Sequence, residues 1–241
     1  ELKNPTHKVC FLVTAGYFKA RHRFFARQFH PSDLEFVAKQ MGVDVNEVIP
    51  ENYNRFTYLR HQALILDYFG FTSFDKSAKQ WVQTELTTVA KVQFRPKLIF
   101  LAILQVLMQK KIALPNYHAL STLIVNAIKH QQRSLNTIIK AHLIDSQKEK
   151  LETLLEKVSG EGLEDKWRYQ LTLLKKASQS LTPGNIKDNV KDLNSLMALY
   201  DEFKPIITHL ALSDECLRYY STSVIKSQVH QISRRAEDDR Y

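Results

Sequence analysis

The chain has 241 residues, 44% of them hydrophobic, which is enough to bury a sizeable core. Six Gly and seven Pro are too few for β-sandwiches, β-propellers or nucleotide-binding folds with glycine loops, so the composition favours helices. Two cysteines, Cys10 and Cys216, cannot build a disulfide framework or a four-ligand zinc site and indicate a reducing compartment. The longest apolar run, 98–108, is too short to span a bilayer.

Helix start and stop signals recur along the chain. They are N-cap residues and capping boxes, such as Asn54 or Ser32 with Glu35, and helix-ending glycines such as Gly42 and Gly70. The predicted helices span 33–41, 45–50, 55–69, 75–93, 97–111, 117–143, 146–158, 163–180 and 186–203, with further starts near 213 and 222. No alternating pattern is long enough for a sheet. We therefore predict an all-α, multi-helix protein with helix-turn-helix-like elements.

Positive charge is concentrated in the first part of the chain. Residues 1–144 hold 19 Lys and Arg against 9 Asp and Glu, a net charge of +10, whereas residues 145–241 hold 15 against 16, a net of −1. Such asymmetry indicates a polyanionic partner, and no segment has the basic and apolar faces with Trp anchors that membrane binding needs. We predict two helical subdomains: a basic domain, 1–144, that binds nucleic acid, and a near-neutral domain, 145–241, that is either a second nucleic-acid-binding region or a contact region for other domains or for a dimer.

Recognisable catalytic motifs are absent from the sequence. It contains no phosphate-binding loop, zinc-protease helix or nucleophile elbow, and its nine His are dispersed. We therefore predict no catalytic residue, no metal and no cofactor. A catalytic constellation assembled only by the fold stays open as an alternative.

The segment 17–27 is the most basic and aromatic in the chain. Its cations can contact phosphates: Lys19, Arg21, Arg23 and Arg27. Its phenylalanines are expected in the core: Phe18, Phe24 and Phe25. The alternative for the cations is a merely solvated helix end.

A helix that begins at Arg55, after a short helix and a turn, has the position of a recognition helix. Thr57, Arg60 and His61 have spacings of three and four residues, so they can share one face and reach base edges. The alternative is a solvated face on which His61 is half buried.

Several short motifs occur in a characteristic order. They are Cys10-Phe11-Leu12, Gly16-Tyr17-Phe18-Lys19, Arg23-Phe24-Phe25, Thr57 to His61, Tyr68-Phe69-Gly70-Phe71, Leu114-Pro115 before the helix with Arg133, Arg218-Tyr219-Tyr220, Arg234-Arg235 and Arg240-Tyr241. Together they resemble the N-terminal region of the large transposases of the Tn-three family, which move class II transposons replicatively. The resemblance extends from about Lys8 to Tyr241.

The resemblance implies a helical module that binds double-stranded DNA at the terminal inverted repeats of the transposon. It adds Arg133 to the candidate DNA contacts. The Asp-Asp-Glu site, where Mg²⁺ is expected, belongs to a ribonuclease-H-like domain far downstream. The chain has no initiator Met or signal peptide and its last residues look like a cut, so we expect a fragment without nuclease activity.

The expected partners are the remaining transposase domains and a second copy in a possible homodimer, in the bacterial cytoplasm with the nucleoid and away from membranes. The rival hypothesis is a helical scaffold for transposase dimerisation or accessory factors.

Overall fold

A computed structural model describes residues 4–157, 169–175 and 182–236. These residues form α-helices and contain no β-strand, which confirms the all-α prediction. The helices are α1 (Pro5–Arg21), α2 (Pro31–Gln40), α3 (Arg55–Phe69), α4 (Lys76–Val89), α5 (Pro96–Gln109), α6 (Tyr117–His142), α7 (Asp145–Leu154), α8 (Gln170–Leu174), α9 (Pro183–Leu210), α10 (Asp214–Lys226) and α11 (Val229–Ser233). Single-turn 3₁₀ helices lie at Val45–Glu47 and Pro50–Asn52.

Several predicted caps are formed as expected. The side chain of Asn54 accepts a hydrogen bond from the backbone N–H of Thr57 at 2.9 Å, which opens α3. Gly70 ends α3 in the left-handed conformation, with φ of 66°. The Ser213 hydroxyl accepts from the N–H of Cys216 and opens α10. These three caps therefore form at the residues that the sequence predicts.

Two other helices begin earlier than predicted because each of them starts with a proline. Pro31 and Pro183 occupy the first helical turn, so α2 begins before Ser32 and α9 begins before residue 186. Residues 222–223 lie within α10 and start no new helix. The helix predicted over 163–180 falls largely outside the described residues.

The chain divides into two compact units. The first unit comprises Glu1–Thr87 and Pro96–Asn126, and the second comprises Thr88–Arg95 and Ala127–Tyr241. By sequence the first unit has 14 Lys and Arg against 9 Asp and Glu, a net of +5, and the second has 20 against 16, a net of +4. The boundary after residue 144, which rests on charge alone, stays a prediction.

Two apolar clusters of the first unit lie around α1. One contains the α1 residues Val9, Cys10 and Val13 with Leu34, Ala38, Tyr53 and Tyr58. The other contains the α1 residue Phe18 with Ile65 and Ala113. Because α1 packs against both α2 and α3 and supplies both clusters, it organises the part of the unit that contains these three helices. The burial of each large apolar side chain stabilises the folded state by about 1.5–3 kcal/mol.

The end of α1 is tied to a segment far along the chain. His22 adopts a left-handed conformation with φ of 53°, and its carbonyl accepts from the N–H of Leu114 at 2.7 Å. An isolated parallel bridge joins Thr72 to Ile112, so the segment that holds His22 is itself fixed. These bonds determine where the chain leaves α1.

A third cluster lies in the second unit. Phe94, Leu135 and Cys216 are buried in it. Tyr219 and Tyr220 pack on Phe94, with ring centroids 5.9 and 5.3 Å from its ring. Burial raises the pKa of Tyr220 to about 12, so its hydroxyl stays protonated.

Candidate nucleic-acid interface

The segment between α1 and α2, residues 22–30, is called the basic loop below. Two side-chain hydrogen bonds hold it against the start of α3. The Tyr58 hydroxyl donates to the carbonyl of Phe25, and Nη1 of Arg27 donates to the carbonyl of Tyr53 at 2.9 Å. The Tyr58 bond reaches a backbone carbonyl of the loop and so fixes its path at Phe25, whereas the Arg27 bond holds a loop side chain against the segment before α3.

The cations predicted from the sequence surround this loop. Lys19 and Arg21 are exposed on the last turn of α1, and Arg27 is exposed on the loop. The Arg23 guanidinium lies over the Phe25 ring, 4.3 Å from its centroid. Arg23 is half-buried, and this cation–π contact holds its guanidinium beside the Phe25 ring.

The three phenylalanines of this segment have different environments. Phe18 is fully buried, as predicted, and Phe24 is half-buried and stacked on it at 4.7 Å. The core prediction is wrong for Phe25, which is 37% exposed and contacts Tyr17 and Arg23. Phe25 instead supports the Arg23 cation at the surface, while its carbonyl accepts the hydrogen bond from Tyr58.

A shallow open groove separates the basic loop from α3. It is lined by Ala26, Arg27 and Gln28 from the loop and by Arg55, Tyr58, Leu59 and Gln62 from α3. The α3 residues follow the i, i+3, i+4, i+7 spacing of one helix face. The fold thus brings together two predicted cations, Arg27 and Arg55, that are distant in sequence.

The outer side of α3 carries Arg60 beside this groove. Arg60 is exposed one turn after Phe56, whose side chain is 83% exposed. Thr57 is half-buried. The first turns of α3 therefore present a cation and an aromatic ring to solvent. Residues 41–54 separate α2 from α3, which is longer than the three- or four-residue turn of a helix-turn-helix motif.

His61 is a correction to the predicted site. It is fully buried, with Nδ1 2.7 Å from the Tyr53 hydroxyl and its ring 5.0 Å from that of Phe11. The inward side of α3 carries Tyr58, His61 and Ile65, and one residue turns the helix by about 100°, so His61 and Arg60 cannot share an exposed face. Burial, chiefly, lowers the pKa of His61 to about 4, so the ring is neutral at pH 7.

Arg133 lies on α6 in the second unit and is exposed, as are Lys129 and His130 beside it. The sequence analysis missed these neighbours. The signal was present: α6 contains no Asp or Glu, and residues 86–144 hold eight Lys and Arg with no acidic residue. Lys129 and Arg133 are four residues apart and share one helix face.

The described part of the chain has neither a metal-binding cluster nor a membrane-spanning helix. There, no group of three or more His, Cys, Asp or Glu side chains could hold a metal ion. No helix within the same residues is long and apolar enough to cross a membrane.

Comparison with known proteins identifies the family. No curated protein matches the chain. A family model matches residues 1–127, which is more than half of the chain and includes the whole first unit with the basic loop and the groove. The chain therefore belongs to the family described as Domain of unknown function (DUF4158).

Proposed function

We propose that the chain is the DNA-binding N-terminal region of a Tn-three family transposase and recognises the terminal inverted repeats of its transposon. The observation that carries this proposal is the group of exposed cations around the basic loop and the start of α3: Lys19, Arg21, Arg27, Arg55 and Arg60. None of these five forms an ion pair within the described residues. Their charge is therefore available to an external anion.

The arrangement suits a duplex backbone better than a small anion. The cations are distributed over the end of α1, the loop and α3, whereas a phosphate-sized ligand would need them convergent in an enclosed pocket. The groove is open, and Arg27 and Arg55 line its two sides. If about five phosphates are neutralised, log K falls against log salt with a slope near −4.5.

The resemblance to Tn-three transposases supports the same proposal through residues of this surface. Two of its motifs, Arg23-Phe24-Phe25 and Thr57 to His61, provide the basic loop and the first turns of α3. In the second motif His61 serves the core while Arg60 faces outward. We assign strand cleavage to a downstream domain and no catalytic role to this chain.

Mobility shift tests the proposal directly. The purified chain is titrated against a duplex that carries the inverted repeat and against a scrambled duplex of the same length and base composition. We expect tighter binding to the repeat and a strong salt dependence for both duplexes. Equal weak binding to both would contradict sequence recognition and favour the scaffold hypothesis.

A further inference from the structure

The first two-thirds of α9 carries a regular row of exposed apolar side chains. The row consists of Ile186, Val190, Leu193, Met197 and Tyr200, each between 44% and 56% exposed, and is called the α9 stripe below. Successive members are four, three, four and three residues apart. This is the a/d spacing of a heptad repeat, whose period of 3.5 residues marks the contact line of a coiled coil.

The described side chains in this part of α9 form no buried face. No described side chain between Pro183 and Tyr200 is buried, and the first buried residue of the helix is Ile206. An isolated helix of this length is marginally stable in water, and a surface helix of a globular domain normally buries one stripe. The exposed stripe is therefore the face through which this stretch of α9 can gain stability.

We propose that the α9 stripe pairs with the α9 stripe of a second copy of the chain in an antiparallel coiled coil. Facing stripes in this orientation place Val190 opposite Tyr200 of the second copy and Leu193 opposite Met197. The twofold symmetry of the dimer repeats both layers, which gives four apolar layers. Leu196, which is 38% exposed, lies beside Leu196 of the second copy at the centre of the coiled coil. Large residues thus face small or flexible ones in every layer.

Charge complementarity between two α9 helices favours a second copy of the chain as the partner and the antiparallel orientation. Lys187 and Asp201 flank the stripe at equivalent heptad positions, both are exposed, and neither forms an ion pair within the described residues. The antiparallel register puts Lys187 beside Asp201 of the second copy at both ends and Asn194 beside its own equivalent. A parallel register would leave Asp201 beside the apolar Leu196. This inference uses no residue of the DNA surface and does not depend on the proposed function.

Sedimentation or light scattering over a range of concentrations tests the association with the complete chain. We expect a reversible dimer, and a monomer for the double variant Leu193→Glu, Met197→Glu at unchanged helical content. A matched control is Ile225→Glu, which changes a 63% exposed apolar residue of α10 outside the stripe and should stay dimeric. If the acidic double variant does not fold, the Leu193→Ala, Met197→Ala variant gives the same test, because alanine is a strong helix former. A monomeric wild type, or double variants that remain dimeric, would overturn the proposal.

Charge exchange tests the orientation. Lys187→Glu alone and Asp201→Lys alone each create two like-charge contacts, and we expect each to raise the dissociation constant of the dimer about tenfold. The combined variant restores opposite charges and should return to the wild-type constant. If the combined variant instead has a higher dissociation constant than either single variant, the antiparallel arrangement is wrong.

Discussion

The hydroxyl of Tyr53 and Nδ1 of His61 lie 2.7 Å apart, and both side chains are fully buried in the first unit. The backbone carbonyl of the same Tyr53 accepts from Arg27 of the basic loop. One residue thus joins a buried histidine to the surface that we propose for DNA. Among the described residues, Nε2 of His61 has no hydrogen-bond partner, so no acceptor there would stabilise a proton on Nε2.

This arrangement predicts a loss of stability in mild acid. The pKa of His61 is about 4 in the folded chain against 6.5 for the free side chain, because burial disfavours the charged ring. Between these values the unfolded state binds more protons. The contribution of His61 to the free energy of unfolding is therefore complete above pH 6.5. It is lost as the pH falls towards 4, which lowers the free energy of unfolding by up to about 3 kcal/mol. Denaturant unfolding at several pH values measures it.

The control for this prediction is His61→Asn. The asparagine side chain can accept the Tyr53 hydrogen bond near the position of Nδ1 but does not titrate. We expect the variant to be less stable at pH 7 and to show a flatter stability profile between pH 6.5 and 4. A profile as steep as that of the wild type would show that other groups cause the acid effect.

Arg55→Ala should weaken binding to cognate and scrambled duplexes alike. Arg55 is exposed and lines the groove, so we expect the loss of one phosphate contact and a salt slope flatter by about one unit. Lys39→Ala is the matched control, because Lys39 is an exposed cation of the same unit whose charge is paired with Glu35 at 2.8 Å. Equal effects of the two variants would mean that only net charge matters.

Arg60→Ala should discriminate between the duplexes. Arg60 extends from the outer side of α3 near its first turns, where a bidentate contact to guanine is possible. We expect a loss of about 1–3 kcal/mol on the inverted repeat and little change on scrambled DNA. Arg23→Ala should weaken both duplexes and flatten the salt slope by about one unit. If Arg60→Ala weakens both duplexes equally, α3 does not read the sequence.

Tyr58→Phe tests whether the position of the basic loop matters apart from its charge. The change removes the hydroxyl that donates to the Phe25 carbonyl and keeps every cation. We expect a loss of about 1 kcal/mol in the free energy of unfolding, together with weaker DNA binding at an unchanged salt slope. Wild-type affinity in a destabilised variant would show that the loop binds without this support.

Sequence patterns predicted the parts of the fold that depend on neighbouring residues. Asn54, Gly70 and Ser213 were predictable because capping and left-handed geometry involve only the next three or four residues. The start of α9 was predicted at 186, three residues late, because a proline such as Pro183 is compatible with a turn as well as with the first helical turn.

The candidate site was predictable as a set of cations and not as an arrangement. The groove between Arg27 and Arg55 arises from hydrogen bonds between segments 26 to 33 residues apart, and no local pattern encodes them. His61 was misplaced because a spacing of four from Thr57 is compatible with either side of α3. Only the packing of Tyr58 and Ile65 shows that this side faces inward.

The hydrogen bond between the His22 carbonyl and the N–H of Leu114 has a consequence for synthesis on the ribosome. The residue that anchors the end of α1 is made ninety-two positions after it. At an elongation rate of about 5–20 residues per second this is a delay of roughly 5 to 20 s, plus the time for Leu114 to leave the exit tunnel. During that interval the nascent basic loop lacks the hydrogen bond to Leu114 and carries its full positive charge beside ribosomal RNA. We therefore expect the basic loop to be cleaved by protease in nascent chains stalled before Leu114 emerges and to be protected in chains stalled after it emerges.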